Sequence, residues 1–206
     1  MRMKFNPRKV SKLTELILYV AEASECDPGF GAVKLNKILF YADFLSYFKH
    51  GKSITGEPYF ALQDGPAPKR MKPVRAEMED RGDIALKSVT MGMKNPQVRV
   101  IALRAPRFAE VGISAEDISI TSHVIDLLKA KNGTELSKAS HDFIGWQAAM
   151  SKGEKTVIQY ATVCLDPVGF FKTIGIDFEM PPISKEIDDF VLERDRALTK
   201  RLAEAS

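Results

Sequence analysis

The chain is poor in the residues that usually announce chemistry: 206 residues hold two cysteines, three histidines and one tryptophan. Cys26 and Cys164 are too few for a disulfide framework and lack metal-ligand spacing, so two reduced thiols are expected. His50, His123 and His141 share no ligand spacing with each other or with a cysteine, and neither a metal nor a cofactor is expected. Long apolar runs are also missing. The longest, such as ILFYA, fall far below the roughly 18 residues that span a bilayer, which argues against a membrane protein. The opening MRMKFNPRKV is basic but has no apolar stretch behind it, so no secretory signal is expected and the compartment is read as cytoplasmic. Gly29-Phe30-Gly31 does not fit a dinucleotide fingerprint, and neither a phosphate-cradling P-loop nor a nucleophile elbow occurs. The expectation is not an enzyme. Charge of one sign is lacking too: 30 basic against 27 acidic residues leave +3, too little by itself to imply nucleic acid.

What is present is an ordinary globular composition, 45% hydrophobic and 28% charged, enough for one domain with or without an appendage. Its most informative stretch is residues 34–50, KLNKILFYADFLSYFKH. Leu35, Ile38, Leu39, Ala42 and Leu45 recur at three- and four-residue steps and form one apolar face. Phe40, Phe44, Tyr47 and Phe48 form another, with Tyr41 between them. A helix apolar all round is buried on several sides. It either runs through the middle of its domain or offers its aromatic side to a partner.

Around this helix the chain reads as mostly helical α+β. A first helix is expected over residues 10–24, ended by Asp27-Pro28-Gly29, and Gly51 stops the second helix near a C′ position. A short strand over 59–62 leads to Asp64-Gly65-Pro66, which is read as the start of a third helix with Asp64 as cap and Pro66 in its first turn. Pro73 inside that helix predicts a kink or a late start near Lys72. Strands over 83–90 and 97–104 flank a loop with Gly92 and Asn95-Pro96, and a small three-stranded antiparallel sheet is expected overall. Helices follow over 114–131, 134–139 and 142–151, with Ser114 and Thr134 as starts and Asn132-Gly133 as a stop. Residues 1–165 are read as the domain. Residues 166–182 are read as a connector to a C-terminal amphipathic helix that opens at Ser184 and packs on the domain or on a partner.

Individual residues have plain readings beside the functional ones. His141, between Ser140 and Asp142, invites acid–base chemistry, yet at a helix junction a histidine more often satisfies backbone carbonyls. Trp146 reads as core, in need of a partner for its indole N–H. Asp43 among aromatics needs a lysine or a helix N-terminus to compensate its charge. Residues 69–75, KRMKPVR, carry four basic side chains and no acid, and could contact phosphates or an acidic partner. The stretch 118–150 has a helix-turn-helix rhythm, but residues 134–150 bring one lysine, two acids and one glutamine, which is a poor recognition helix.

The segment LNKILFYADFLSYFKHGKSITGEPYFALQDGPAPKRM resembles the first signature of the Panacea domain, the SocA-like antitoxin family often described as phage-associated. TELSKASHDFIGWQAAMSKGEKTV is similar to its second signature, a Leu-Ser…His…Trp pattern followed by glycine. Lys34, Leu35, Lys37, Tyr41, Gly65, Pro66, Leu136, Ser137, His141 and Trp146 carry the likeness, while Pro68, Pro73 and everything past Asp166 depart from it. The resemblance implies an antitoxin, a module that binds and neutralises a cognate toxin in a bacterial or phage toxin–antitoxin system, in some members by handing it to a protease. Candidate partner contacts are Phe40, Asp43, Phe44 and Tyr47 on the second helix, and Lys69, Arg70 and Arg75. A DNA-binding autorepressor is the alternative, and a homo-oligomer stays open.

Overall fold

The computed structural model describes residues 10–90 and 97–179. Helix α1 (Lys12–Ala23) opens on a capping box in which Ser11 and Thr14 exchange bonds to each other's backbone N–H groups. It buries Leu13, Leu16, Ile17 and Val20. Helix α2 (Ala32–His50) starts at Gly31 and ends on Gly51 in the left-handed region, φ 69°. Leu35, Ile38, Leu39, Phe40, Tyr41, Ala42 and Phe44 of α2 are all fully buried, so this helix is the spine of the domain, with only Ala32, Val33 and Asn36 partly exposed before Leu45.

The chain then forms β1 (Tyr59–Leu62) and β2 (Gly65–Pro68), an antiparallel hairpin in which Leu62 faces Gly65 across the two-residue turn Gln63-Asp64. Residues 65–68, expected to begin a helix, are therefore a strand. Both its prolines are tolerated because β2 lies at the edge of its sheet, where a missing N–H breaks no inner ladder. Helix α3 (Met71–Asp80) starts late, with Pro73 in its first turn, where the lost N–H has no helical partner anyway. Strands β3 (Ile84–Val89) and β4 (Gln97–Ala102) make a separate two-stranded sheet. A short helix α4 (Phe108–Val111) precedes α5 (Ala115–Leu128), which Ser114 caps by a second capping box. Asn132 caps α6 (Gly133–Ser140), and α7 (Ile144–Met150) follows. Residues 118–150, whose helix-turn-helix rhythm makes a poor recognition element in the sequence, run through three helices, of which α5 and α6 lie on α2.

Strand β5 (Val157–Ile158) joins β1 to complete the three-stranded sheet, in the order β2-β1-β5. The chain closes with α8 (Thr162–Leu165) and α9 (Pro167–Ile174). Residues 167–174, read from the sequence as connector, are a helix whose Phe170 lies in the main core. The C-terminal helix expected from Ser184 and the turn at 92–96 lie outside the described residues. The α+β, mostly helical class holds, with its strands grouped as three plus two rather than three.

Two polar networks tie the layers together. Glu15 of α1, with no solvent exposure, takes two bonds from Arg104 (2.7 and 2.8 Å) and one from the Arg107 amide (2.7 Å). Arg104 also reaches Asp83 at 2.7 Å, and Asp83 accepts from Arg81 at 2.9 Å. Burial pushes both carboxyls up, but the guanidinium groups outweigh it and hold Glu15 and Asp83 below the usual range. The second network surrounds Asp43. It accepts from the Thr55 amide (2.7 Å), the Thr55 hydroxyl and the Tyr59 hydroxyl (2.7 Å). Burial still pushes its carboxyl up to about 6.

Candidate partner-binding site

The two signature segments meet at the β1–β2 turn. Lys37 of α2, fully buried, donates its ammonium to the carbonyls of Asp64 and of Pro66 (3.2 Å). Ser137 of α6 donates its hydroxyl to the same Asp64 carbonyl at 2.8 Å. Trp146 of α7 gives its indole N–H to the Leu62 carbonyl at 3.1 Å. Three helices thus grip one turn by its backbone oxygens. A tight turn leaves carbonyls without ladder partners, and each unpaired one would cost a buried hydrogen bond. Lysine is a side chain long enough, and with donors enough, to satisfy two of them at once. Burial pushes the Lys37 ammonium down to about 7, against the pull of the Asp64 carboxylate.

Gly65 completes the clamp. Its φ of +87° suits glycine, and a Cβ there would lie 2.6 Å from Lys37 Nζ and inside the Ser140 hydroxyl. Pro66 is buried beside it. His141 lies flat on Trp146, with ring centroids 4.0 Å apart and planes 15° apart. Burial, and then the nearby Lys37 charge, hold the His141 imidazole below its ordinary pKa. His141 therefore backs Trp146 and also meets the Gln63 backbone, whose pull on its pKa is the weaker one.

The other signature residues are structural supports. Lys34 is 1% exposed and binds Asp27 at 2.6 Å and the carbonyls of Lys131 and Lys129 at 2.7 and 3.0 Å, so it ties α2 to the end of α5. Leu35, Leu136 and Tyr41 are core residues. The spacing of Lys34 and Lys37, three apart on α2, sends one ammonium to the α5 terminus and the other to the turn.

The aromatic side of α2 is core. Phe40 and Phe44 are fully buried, and Asp43 faces Thr55 and Tyr59 rather than a lysine or a helix terminus. Phe170 of α9 stacks over Phe44 at 6.3 Å, and Tyr160 lies 4.6 Å from the same ring. These covers come from more than a hundred residues downstream, so the pattern of α2 by itself left the face open. Phe40, Asp43 and Phe44 are consequently out of reach of a partner. Tyr47 is half-buried against Tyr160 at 5.4 Å.

The basic candidates divide. Arg70 is committed to the buried Glu57 through bonds of 2.7 to 3.1 Å, which raises its pKa and spends its fork inside the molecule. Lys69 is exposed, with its ammonium 5.5 Å from the centre of the Phe60 ring. Arg75, half-buried on α3, lines a cleft of about 650 Å³ with Lys37, Lys69, Lys72 and Lys155. Burial lowers the Arg75 pKa. Asn36 of α2 and Lys155 also line this cleft and carried no distinguishing sequence signal, whereas Lys72 belongs to the basic run 69–75. No cluster of three or more His, Cys, Asp or Glu side chains suited to a metal occurs among the described residues, and no described helix is long and apolar enough to cross a membrane.

The chain matches the family described as antitoxin SocA-like, Panacea domain, over residues 35–147, more than half of its length. No match was found among curated proteins or among solved structures. The matched span runs from Leu35 to one residue past Trp146, and so takes in Lys37, the turn, Ser137 and Trp146, the parts that assemble the clamp. The chain belongs to the SocA-like Panacea domain family of antitoxins.

Proposed function

We propose that this protein is the antitoxin of a toxin–antitoxin pair, a binding module that holds a cognate toxin protein and neutralises it. The observation that carries the reading is the coincidence of the family span with the clamped turn and the basic cleft beside it. The clamp fixes the backbone at the cleft's edge, so that contact residues on α3 and the turn are held in place before a partner arrives, which lowers the ordering cost of association. Five cationic side chains line the cleft against two acidic ones, Asp64 and Glu154, which suits an acidic patch on the partner. Delivery of the bound toxin to a protease is a second step of the same reading.

Co-expression with each reading frame that neighbours its gene, first screened for toxicity alone, tests the proposal. Growth should be restored by the wild-type chain and lost on charge reversal at exposed Lys69 and Lys72 together, with the melting temperature unchanged. A pull-down in which that double variant retains the toxin fully would refute the proposed surface. A shorter toxin half-life in the presence of the antitoxin would support delivery to a protease, and an unchanged half-life would remove that step.

A further inference from the structure

The most unusual group in the molecule is Arg75. Its Nε and Nη1 atoms are shielded from solvent, and neither has an acceptor among the described residues. The other buried arginine-type contacts are matched: Arg104 has Glu15 and Asp83, Arg81 has Asp83. A half-buried guanidinium with two shielded, idle donors weakens a fold, so such a group points to an acceptor that the isolated chain does not contain. A second idle atom lies in the same cleft: Asn36 Oδ1 on α2 is buried and receives no hydrogen bond. The fully buried Lys37 ammonium also lines this cleft, and Lys69 and Lys72 stand exposed at its mouth.

We infer that the cleft between α2, the β1–β2 turn and α3 is a carboxylate-binding pocket, in which Arg75 takes an acidic side chain of a protein partner and Asn36 accepts an N–H from the same segment. This rests on the toxin-binding reading and names the chemistry that the partner must bring. The planar guanidinium matches a carboxylate, with several N–H donors available for parallel bonds. A peptide segment supplies both what Arg75 lacks, an anionic acceptor, and what Asn36 lacks, a donor. A phosphodiester backbone supplies acceptors only, which favours a protein segment over the backbone of a nucleic acid.

The full chain, labelled with ¹⁵N, is titrated with three probes while the Arg75 Nε–H resonance is followed by NMR: N-acetyl-triglutamate amide, inorganic phosphate, and a short single-stranded DNA. The peptide should move the resonance saturably. Its apparent affinity, read from backbone amides around the cleft, should fall at least tenfold in Arg75→Gln, fall less in Arg75→Lys, and stay unchanged in Lys87→Gln, whose side chain lines a different cleft. Arg75→Met should melt at or above the wild-type temperature, because it removes an unpaired buried charge. No saturation by the peptide, or equal affinity in Arg75→Gln, overturns the inference. So does a response to phosphate or DNA that equals or exceeds the response to the peptide, which would make the cleft a small-anion or nucleic-acid site. A melting temperature several degrees lower in Arg75→Met would show that Arg75 is a structural group, and likewise overturns it. None of these arms contains a toxin. Failure of the wild-type chain to rescue growth therefore counts against the proposed function alone, and failure of the peptide arm counts against the pocket alone.

Discussion

Replacing Arg104 by Gln removes the cation that joins α1 to the β3–β4 sheet. Glu15 then keeps only the Arg107 amide and the Thr14 hydroxyl, and Asp83 keeps Arg81. The carboxylates are 0% and 2% exposed and cannot turn to water, so the variant holds under-compensated buried charge. Breaking a buried pair from one side costs about 3–5 kcal/mol, a large fraction of the roughly 5–15 kcal/mol that stabilises a domain. For a chain of this size that is a fall in melting temperature of about 8–15 °C. The sign of the pH dependence separates charge from packing. In the wild type both carboxyls sit below their ordinary pKa, so their contribution is present above about pH 4 and is lost only as pH falls through the depressed values. Without Arg104, burial is the larger influence and the pKa values rise. Protonation as pH falls then relieves the variant sooner than the wild type, and the deficit relative to wild type should be smaller at pH 4.5 than at pH 7. Urea unfolding followed by far-UV circular dichroism at the two pH values measures both quantities. A loss below about 1 kcal/mol at pH 7, or one of equal size at both pH values, would refute the electrostatic account.

Two further outcomes concern the clamp. Gly65→Ala should cost at least about 2 kcal/mol in urea unfolding, because a strained φ adds to overlap with Ser140 and Lys37. Gly56→Ala has a similar positive φ in open space and should cost about half as much; equal losses would mean that the packing around Gly65 yields. Trp146 is the only tryptophan and His141 is stacked on it, so an imidazolium there should quench its emission. Fluorescence should therefore rise with pH through a midpoint below the ordinary histidine value of about 6.5, and His141→Asn should abolish the transition. A midpoint above that value, or a transition that survives in the variant, would contradict the environment described for His141.

Much of this architecture can be read before any coordinates. Ser114 and Gly51 mark their helix ends by local chemistry, and the all-round apolar pattern of α2 marks a buried helix. What could not be read depends on distant chain. Phe44 is core because α9 lies on it, and α9 was hidden in a short segment with glycine and proline that looks like connector. The sequence GPAP carries the same proline signal whether it opens a helix or runs along a sheet edge, and only the pairing with β1 decides. At the candidate site the local motifs pointed to Lys37, Ser137 and Trp146 without saying that one turn joins them. The split between Arg70 and Arg75 was illegible. Both belong to one basic run, and what separates them is a glutamate thirteen residues before Arg70.

The grip on the β1–β2 turn also has a consequence in time. Its three hydrogen-bonding side chains stand 27, 73 and 84 residues along the chain from the carbonyls they hold. On the ribosome, Lys37 and the hairpin emerge early, but the turn is secured only after Ser137 and then Trp146 have left the exit tunnel. Contacts of such separation form late, since the loop must be closed before they return any stability. A nascent or prematurely ended chain would therefore present α2 and the hairpin without a finished cleft. Completion of the clamp waits for residue 146, and completion of the sheet and core waits longer, for β5 and for Phe170 of α9.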